Sequence, residues 1–378
     1  MNKIKICFPV VGDSIGGSAL SCLDLINILD KKKFDIFLPI HVKGDLYKLL
    51  KEKKIKIHFM PLNNFVGQKS GFLSNLLVLL QNFFKIFFYI KRNKINFVHS
   101  NDGAIHLTWV IPTLFTKSKF FWHQRVKFPN WCLYKLLSNF SDKIICISNY
   151  VYSTLPTNLR KKTIIIYDPI SIIKKKMASK EKKLISYFSK FKNKKKIIFL
   201  ANIINTKKID VFLKTSISIF RQNKNCIFLV IGSDRFKILK KLLLNIKNKK
   251  FKKNFFYLNK CYQIKKWFNI SDVLISTSVN EGLNRSIVEA MLCKLPVVAS
   301  KSGAHKELIF HNKTGWLIKP NDYKEFAKYS LKLFRINKKK ISILLENAYL
   351  FAKDKFSPKN NKNEIQNLYI KSFLKNEN

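Results

Sequence analysis

The sequence predicts an α/β protein built from two doubly wound, parallel-sheet domains. Three observations carry this reading. Short β-rich runs alternate with amphipathic stretches, the alternation occurs in two series, and one strongly basic segment separates them. A length of 378 residues suits two domains, and an apolar fraction of 47% is enough for two cores rather than a disordered chain.

In the first series, Ile4 to Val10, Phe34 to Ile40, Ile55 to Met60, Asn96 to Ser100, Lys119 to Trp122, Lys143 to Ile147 and Thr163 to Tyr167 read as strands. Helical patterns lie between them; Ala19, Cys22, Leu23, Ile26 and Leu29, for instance, share one helical face. Strands that alternate with helices imply right-handed crossovers and hence a parallel sheet. Lys174 to Lys196 then carries eleven lysines against one glutamate, the composition of an interdomain linker or a solvated helix. The second series is Ile197 to Ala201, Cys226 to Ile231, Asn254 to Tyr257, Asp272 to Ser276, Pro296 to Ala299 and Gly315 to Ile318. The expected division is a domain over 1–172, a basic linker over 173–196, a domain over 197–356 and a closing helix over 357–378. A ligand is expected in a central cleft between the two domains, at the carboxyl ends of their strands.

The formal charge of +50 raises the question of an anionic partner. Lys, Asn, Ile and Phe are all over-used, and all have A/T-rich codons, so genome composition is the first reading of the charge. Attraction to an anionic membrane surface is the second reading, and nucleic acid the third. Seven cysteines (Cys7, Cys22, Cys132, Cys146, Cys226, Cys261 and Cys293) show no paired spacing. Reduced, buried thiols in a cytoplasmic protein are expected from them, with no metal site. The most apolar stretch, Leu76 to Ile90, is interrupted by Gln81, Asn82 and Lys85, so no membrane-spanning helix is expected. Its apolar face is expected to pack in the core, as is usual for a helix before a strand. The first residues read as a strand rather than a signal peptide.

The most informative segment runs from Ser276 to Val298. A strand ends near Ser276, a turn carries Glu281-Gly282, and a helix follows from about Ser286. A glycine lets backbone approach a ligand closely, and a helix N-terminus offers free N–H groups and a positive dipole end to a diphosphate. Ionised carboxylates make strong hydrogen bonds to neutral hydroxyls, which suits Glu281 and Glu289 to a polyol. Against this, Ser286-x-x-Glu289 also matches a capping box, in which the glutamate only closes the helix N-terminus.

Glu281 and Glu289 stand in an E-x7-E spacing, within E-G-x-x-x-x-x-x-E-A-M-x-x-x-x-P-V-V. This resembles the signature of glycosyltransferase family 4, whose members are retaining enzymes of the GT-B fold, with two Rossmann-like domains facing a cleft. The resemblance implies that Glu281 contacts the donor sugar and Glu289 the ribose, with the amides of Gly282, Leu283 and Asn284 near the sugar and phosphates. Gly16-Gly17-Ser18 is similar to that family's glycine loop facing the donor, and Phe121-Trp122-His123 places a histidine where the family sets one beside the sugar. Ala201 to Asp210 occupies the place of the G-R-x-x-x-x-K-G segment, whose cations neutralise the leaving diphosphate. Lys207 matches the lysine there, whereas Asn202 replaces the arginine and Lys208 the glycine. Ser302-Gly303-Ala-His-Lys-Glu307 and Thr314-Gly315-Trp316 are also similar, and the closing helix is expected to cross back onto the first domain.

The resemblance implies hexosyl transfer from a UDP- or GDP-sugar to a glycan or lipid-linked acceptor, with retention, in cell-envelope polysaccharide, lipopolysaccharide or glycolipid synthesis. No cofactor and no nucleic-acid partner are expected, and the location implied is cytoplasmic, peripheral at the inner face of the cell membrane. The rival readings are a basic nucleic-acid-binding protein and another GT-B enzyme such as an epimerase or phosphorylase. No G-x-G-x-x-G follows any strand, which argues against a dinucleotide-dependent oxidoreductase.

Overall fold

The structure, a computed structural model, is described for residues 3–68, 71–170, 179–259, 261 and 263–374. The chain divides into two compact units, residues 1–169 with 358–378 and residues 170–357.

The first unit holds β1 (Ile4–Cys7), β2 (Phe34–Phe37), β3 (Pro39–Ile40), β4 (His58–Phe59), β5 (Phe97–Ser100), β6 (Lys119–Gln124), β7 (Lys143–Cys146) and β8 (Thr163–Ile165). Six of them form one sheet in the order β2-β1-β5-β6-β7-β8, parallel throughout. Its inner strands are largely buried, β5 along its whole length, and they carry the buried polar side chains His99, Ser100, His123 and Gln124 as well as apolar ones. The stretch Ile55 to Met60 does not join this sheet. It supplies only β4, which pairs with β3 in a separate two-stranded sheet. The run from Phe34 to Ile40 is split at Leu38, where Pro39 has no N–H with which to extend a ladder.

Helix Pro358–Leu374 belongs to this first unit. Its Tyr369 is fully buried, with its ring 5.8 Å from Phe34, 5.4 Å from Phe97 and 5.5 Å from Phe121. Aromatic clusters of this kind bury large area, and the Phe121 and Tyr369 rings add stacking attraction to it.

The second unit holds β9 (Lys195–Leu200), β10 (Cys226–Ile231), β11 (Phe255–Leu258), β12 (Val273–Ser276), β13 (Val297–Ser300) and β14 (Trp316–Ile318). They form one parallel sheet in the order β11-β10-β9-β12-β13-β14. The chain builds outward from β9 to β11, then returns to the other side of β9 for β12. This puts a topological switch point between the ends of β9 and β12, where open α/β sheets bind ligands. Gly232, just past β10, has φ 150°, and a Cβ there would sit 1.8 Å from the carbonyl oxygen of Ala201. Only glycine lets that turn lie so close to the loop leaving β9.

The basic segment is not a free linker in its described part. Residues 171–178 lie outside the described residues, but Ser179–Ser189 is a helix of the second unit, and Lys195 already begins β9. Glu181, the lone acid of the segment, is buried and accepts hydrogen bonds from the Trp267 indole (2.8 Å) and the Gln263 amide (3.1 Å). Eleven lysines obscured one anchoring glutamate.

Two other expectations need correction. Cys7, Cys22, Cys146 and Cys226 are buried thiols, but Cys132 is exposed and Cys261 and Cys293 are partly so. Phe72–Asn93 is one continuous helix of 22 residues, long and apolar enough to cross a membrane by length and composition alone. Most of its apolar side chains are not in the core, because the face turned inward carries Asn75 and Asn82 beside Val78, Ile86 and Ile90.

Candidate functional site

In the second unit, the loops leaving β9 and β12 are knitted together at the switch point. The Thr277 hydroxyl lies 2.9 Å from the carbonyl oxygens of both Lys207 and Lys208, and the Val279 amide donates to the Thr206 carbonyl at 2.8 Å. Asn280 is left-handed (φ 57°), and its amide donates to the Ser302 hydroxyl at 3.0 Å. The carbonyl of Glu281 accepts from the Ala304 amide at 2.9 Å. Gly303 has φ 56°, and a Cβ there would meet Glu281 oxygen at 2.6 Å. The residue of this turn that needs glycine is therefore Gly303, whereas Gly282 has no left-handed φ.

This clamp brings Lys207 and Glu281 together. The Lys207 ammonium is ion-paired and hydrogen-bonded to the Glu281 carboxylate, with side chains 22% and 13% exposed. A pair this sheltered holds the two side chains in a fixed mutual orientation. Glu289 sits on the helix Arg285–Leu292, nearly buried, with Arg285 Nη2 3.6 Å from its Oε1.

The capping-box reading fails on geometry. Asn284, not Ser286, is the N-cap, and Ser286 lies inside the first turn, where its hydroxyl donates to the Leu200 carbonyl at 2.8 Å. Glu289 is thus a full turn into the helix, beyond the reach of that motif. Asn284 spends its side-chain amide inside the domain, on Ser276 Oγ and His305 Nε2, each at 3.0 Å. His305 in turn donates from Nδ1 to the Ser300 carbonyl at 2.8 Å. Both ring nitrogens are thereby committed in a neutral tautomer, and burial lowers its pKa, opposed in part by Glu281. Asn202 is exposed and accepts from the Ser233 amide at 3.3 Å. It supplies no cation. Arg285 went unread in the sequence, although its i, i+4 spacing from Glu289 marks the two as neighbours on one helical face.

The first unit carries its own polar cluster. Gly16 caps the helix Gly17–Ile28, and a Cβ on Gly16 would find only the Ser18 hydroxyl, 4.0 Å away. His123 lies in β6 and is 2% exposed. Arg125 pairs with Asp168 at 2.5 Å, and its Nη2 lies 3.4 Å from His123 Nδ1. That contact makes Nδ1 an acceptor, which fixes the rest of the chain: Tyr369 hydroxyl to His99 Nδ1 (2.5 Å), then His99 Nε2 to His123 Nδ1 (2.9 Å). His123 is left with its proton on Nε2, which has no hydrogen-bond partner among the described residues. A buried donor without an acceptor costs about 1–3 kcal/mol unless a ligand supplies one.

Residues 181–350 match the family described as glycosyl transferases group 1. That segment belongs to the family. An uncharacterized glycosyltransferase of Methanocaldococcus jannaschii is 29% identical over 62% of this chain and 60% of its own length. The chain spans about three fifths of the length of this relative and of a second uncharacterized glycosyltransferase of the same organism. A glycosyltransferase from Rickettsia africae superposes with a TM-score of 0.80 at 21% identity, over 100% of both chains. The Anabaena protein HepE, solved with UDP and glucose, superposes with a TM-score of 0.79 at 17% identity, over 97% of this chain and 99% of that one. The likenesses to solved structures show the fold, which is GT-B.

Proposed function

We propose that this chain is a retaining glycosyltransferase that moves a hexosyl group from a UDP- or GDP-sugar to an acceptor hydroxyl of a cell-envelope glycan or lipid-linked glycan. The observation that carries the reading is the Lys207–Glu281 pair held at the β9/β12 switch point, with Glu289 on the helix that follows.

In this reading Glu281 accepts from sugar hydroxyls and Glu289 from the ribose. The N-terminal amides of the helix Arg285–Leu292 and Lys207 face the diphosphate. In the first unit, His123 offers its Nε2 proton, 3.9 Å from Asp168 Oδ1, to a ligand hydroxyl, and Gly16 and Gly17 leave open space at the start of the helix Gly17–Ile28. The C1–O bond to phosphate breaks as the acceptor oxygen bonds to C1 on the same face, and the departing diphosphate takes the acceptor proton. No carboxylate has to act as nucleophile, which fits a Glu281 already paired with a cation. The basic surface suits an anionic or membrane-borne acceptor.

The test is incubation with a panel of nucleotide sugars, reading nucleotide release and the anomeric configuration of the product. Glu289→Gln is expected to weaken donor binding by roughly 1–3 kcal/mol, since a charge-assisted hydrogen bond becomes a neutral one. Unchanged donor affinity together with a lowered melting temperature would leave Glu289 as the partner of Arg285 alone. No nucleotide release with any donor would sink the transferase reading itself.

A further inference from the structure

The helix Phe72–Asn93 is apolar on its outward face as well as at Val78, Ile86 and Ile90 of its inward one. Its inward face carries hydrogen-bonded amides: Asn75 accepts from the Gly67 amide and donates to the Gly71 carbonyl (2.6 Å each), and Asn82 donates to the Asn64 carbonyl at 3.0 Å. Its outward face carries Phe72 (72% exposed), Leu73 (74%), Leu77, Leu80, Phe84 (65%) and Phe88, all well exposed. At 3.6 residues per turn these fall within an arc of about 160°. Phe83 and Phe87 stack between them, and exposed Phe115 from beyond the next helix extends the patch, its ring 5.3 Å from Phe83. An apolar face this continuous costs free energy in water and marks a docking surface.

The charge around the face decides what docks there. Between Lys53 and Asn101 the sequence has eight Lys or Arg and no Asp or Glu. Lys91 rises from the apolar arc with its ammonium 4.9 Å from the Phe87 ring, next to exposed Arg92 and Lys94 at the end of the helix. A second copy of the chain would bring another +50 against this face and be repelled. An anionic lipid surface offers an apolar interior and a negative rim together. Spanning the bilayer would strip the hydrogen bonds of Asn75 and Asn82 from the 64–71 loop, so the helix lies flat instead.

We infer that the outward face of Phe72–Asn93 inserts into the headgroup–acyl boundary of an anionic membrane, its Phe and Leu side chains in the acyl region and Lys91, Arg92 and Lys94 on lipid phosphates. This docking is independent of the transfer reaction, and it is tested without it. The full chain is cosedimented with phosphatidylcholine vesicles with or without phosphatidylglycerol, at low salt and near 1 M, where the screening length is about 3 Å. Recovery is expected only with phosphatidylglycerol, falling but not vanishing at high salt because the apolar part is unscreened. Leu77→Glu with Phe84→Glu, both at exposed positions, is expected to cut recovery at least tenfold while leaving the melting temperature and nucleotide release in solution unchanged.

Equal recovery of this double variant and the wild type would overturn insertion and leave only diffuse charge attraction. Equal recovery on both vesicle types would remove the anionic surface. A wild-type dimer that the double variant dissolves would assign the face to a second copy and overturn the inference.

Discussion

Replacing Lys207 with alanine is expected to lower turnover by roughly a hundredfold to a thousandfold, the usual cost of removing one preorganised group from developing negative charge. Donor affinity should fall much less. Charge on the diphosphate grows as the C1–O bond breaks, so a cation placed there stabilises the transition state more than the bound donor. The position of Lys207 sharpens this. With Asn202 in place of an arginine, Lys207 is the cation that the β9 loop brings to Glu281. The variant also leaves the Glu281 carboxylate, 13% exposed, without its ion-pair partner. A loss through misplaced Glu281 must therefore be separated from a loss of charge on the phosphate. Lys207→Ala combined with Glu281→Gln makes that separation, because neutral glutamine needs no partner. If the double variant recovers most of the turnover lost by Lys207→Ala, the lysine only holds the glutamate. Equal turnover of Lys207→Ala and wild type would show that another cation, with Arg285 the nearest candidate on the helix, meets the diphosphate.

What the sequence made legible is what repeats locally. The strands of both sheets read directly because each is a short apolar run between polar turns, and their observed bounds lie within a few residues of the predicted ones. The Glu281/Glu289 spacing and Lys207 were readable because eight residues of one strand-turn-helix, or one loop, fix them. What escaped depends on partners far along the chain. Glu181 looked like an accident in a lysine run because Trp267 is 86 residues away. The capping box looked sound because nothing near Ser286 shows that its hydroxyl goes to Leu200. The helix from Phe72 matched a core helix in composition. Which of its faces lies inward appears only once the loop carbonyls that Asn75 and Asn82 serve are in place, since periodicity reports that two faces differ but not which of them faces water. His305 and His99 were unremarkable singly, and His123 was singled out only by resemblance; all three acquire their partners only from the elements that bury them.

Those buried histidines make acid lability the second large expected effect. Burial lowers the pKa of His41 to about 4. It also lowers those of His99, His106 and His123, with Arg125 adding to the shift at each. In the unfolded chain each titrates near 6.5. Because the folded pKa is depressed, the unfolded chain binds more protons below about pH 6.5, so the stabilisation is complete above that value and is lost as pH falls. Each such histidine can remove up to about 1.4 kcal/mol per pH unit. The geometry agrees with the sign. His41 Nε2 accepts from the Trp109 indole at 3.2 Å while Nδ1 donates to the Met60 carbonyl at 2.7 Å, so protonation breaks the first bond. Four of these histidines lie in the first unit, and His305 is the corresponding one in the second. Generic repulsion from the +50 charge acts on both units, whereas the histidine effect is lopsided. Between pH 7 and pH 5 the first unit is therefore expected to lose protection well before the second. Hydrogen exchange read by peptide, corrected for the intrinsic pH dependence of exchange, checks this. Peptides from β1, β5 and β6 should become labile while those from β9, β10 and β12 stay protected. Persistent protection of β5 and β6 at pH 5 would mean that His99 and His123 take up protons within the folded unit, or that their burial is less complete than the network implies.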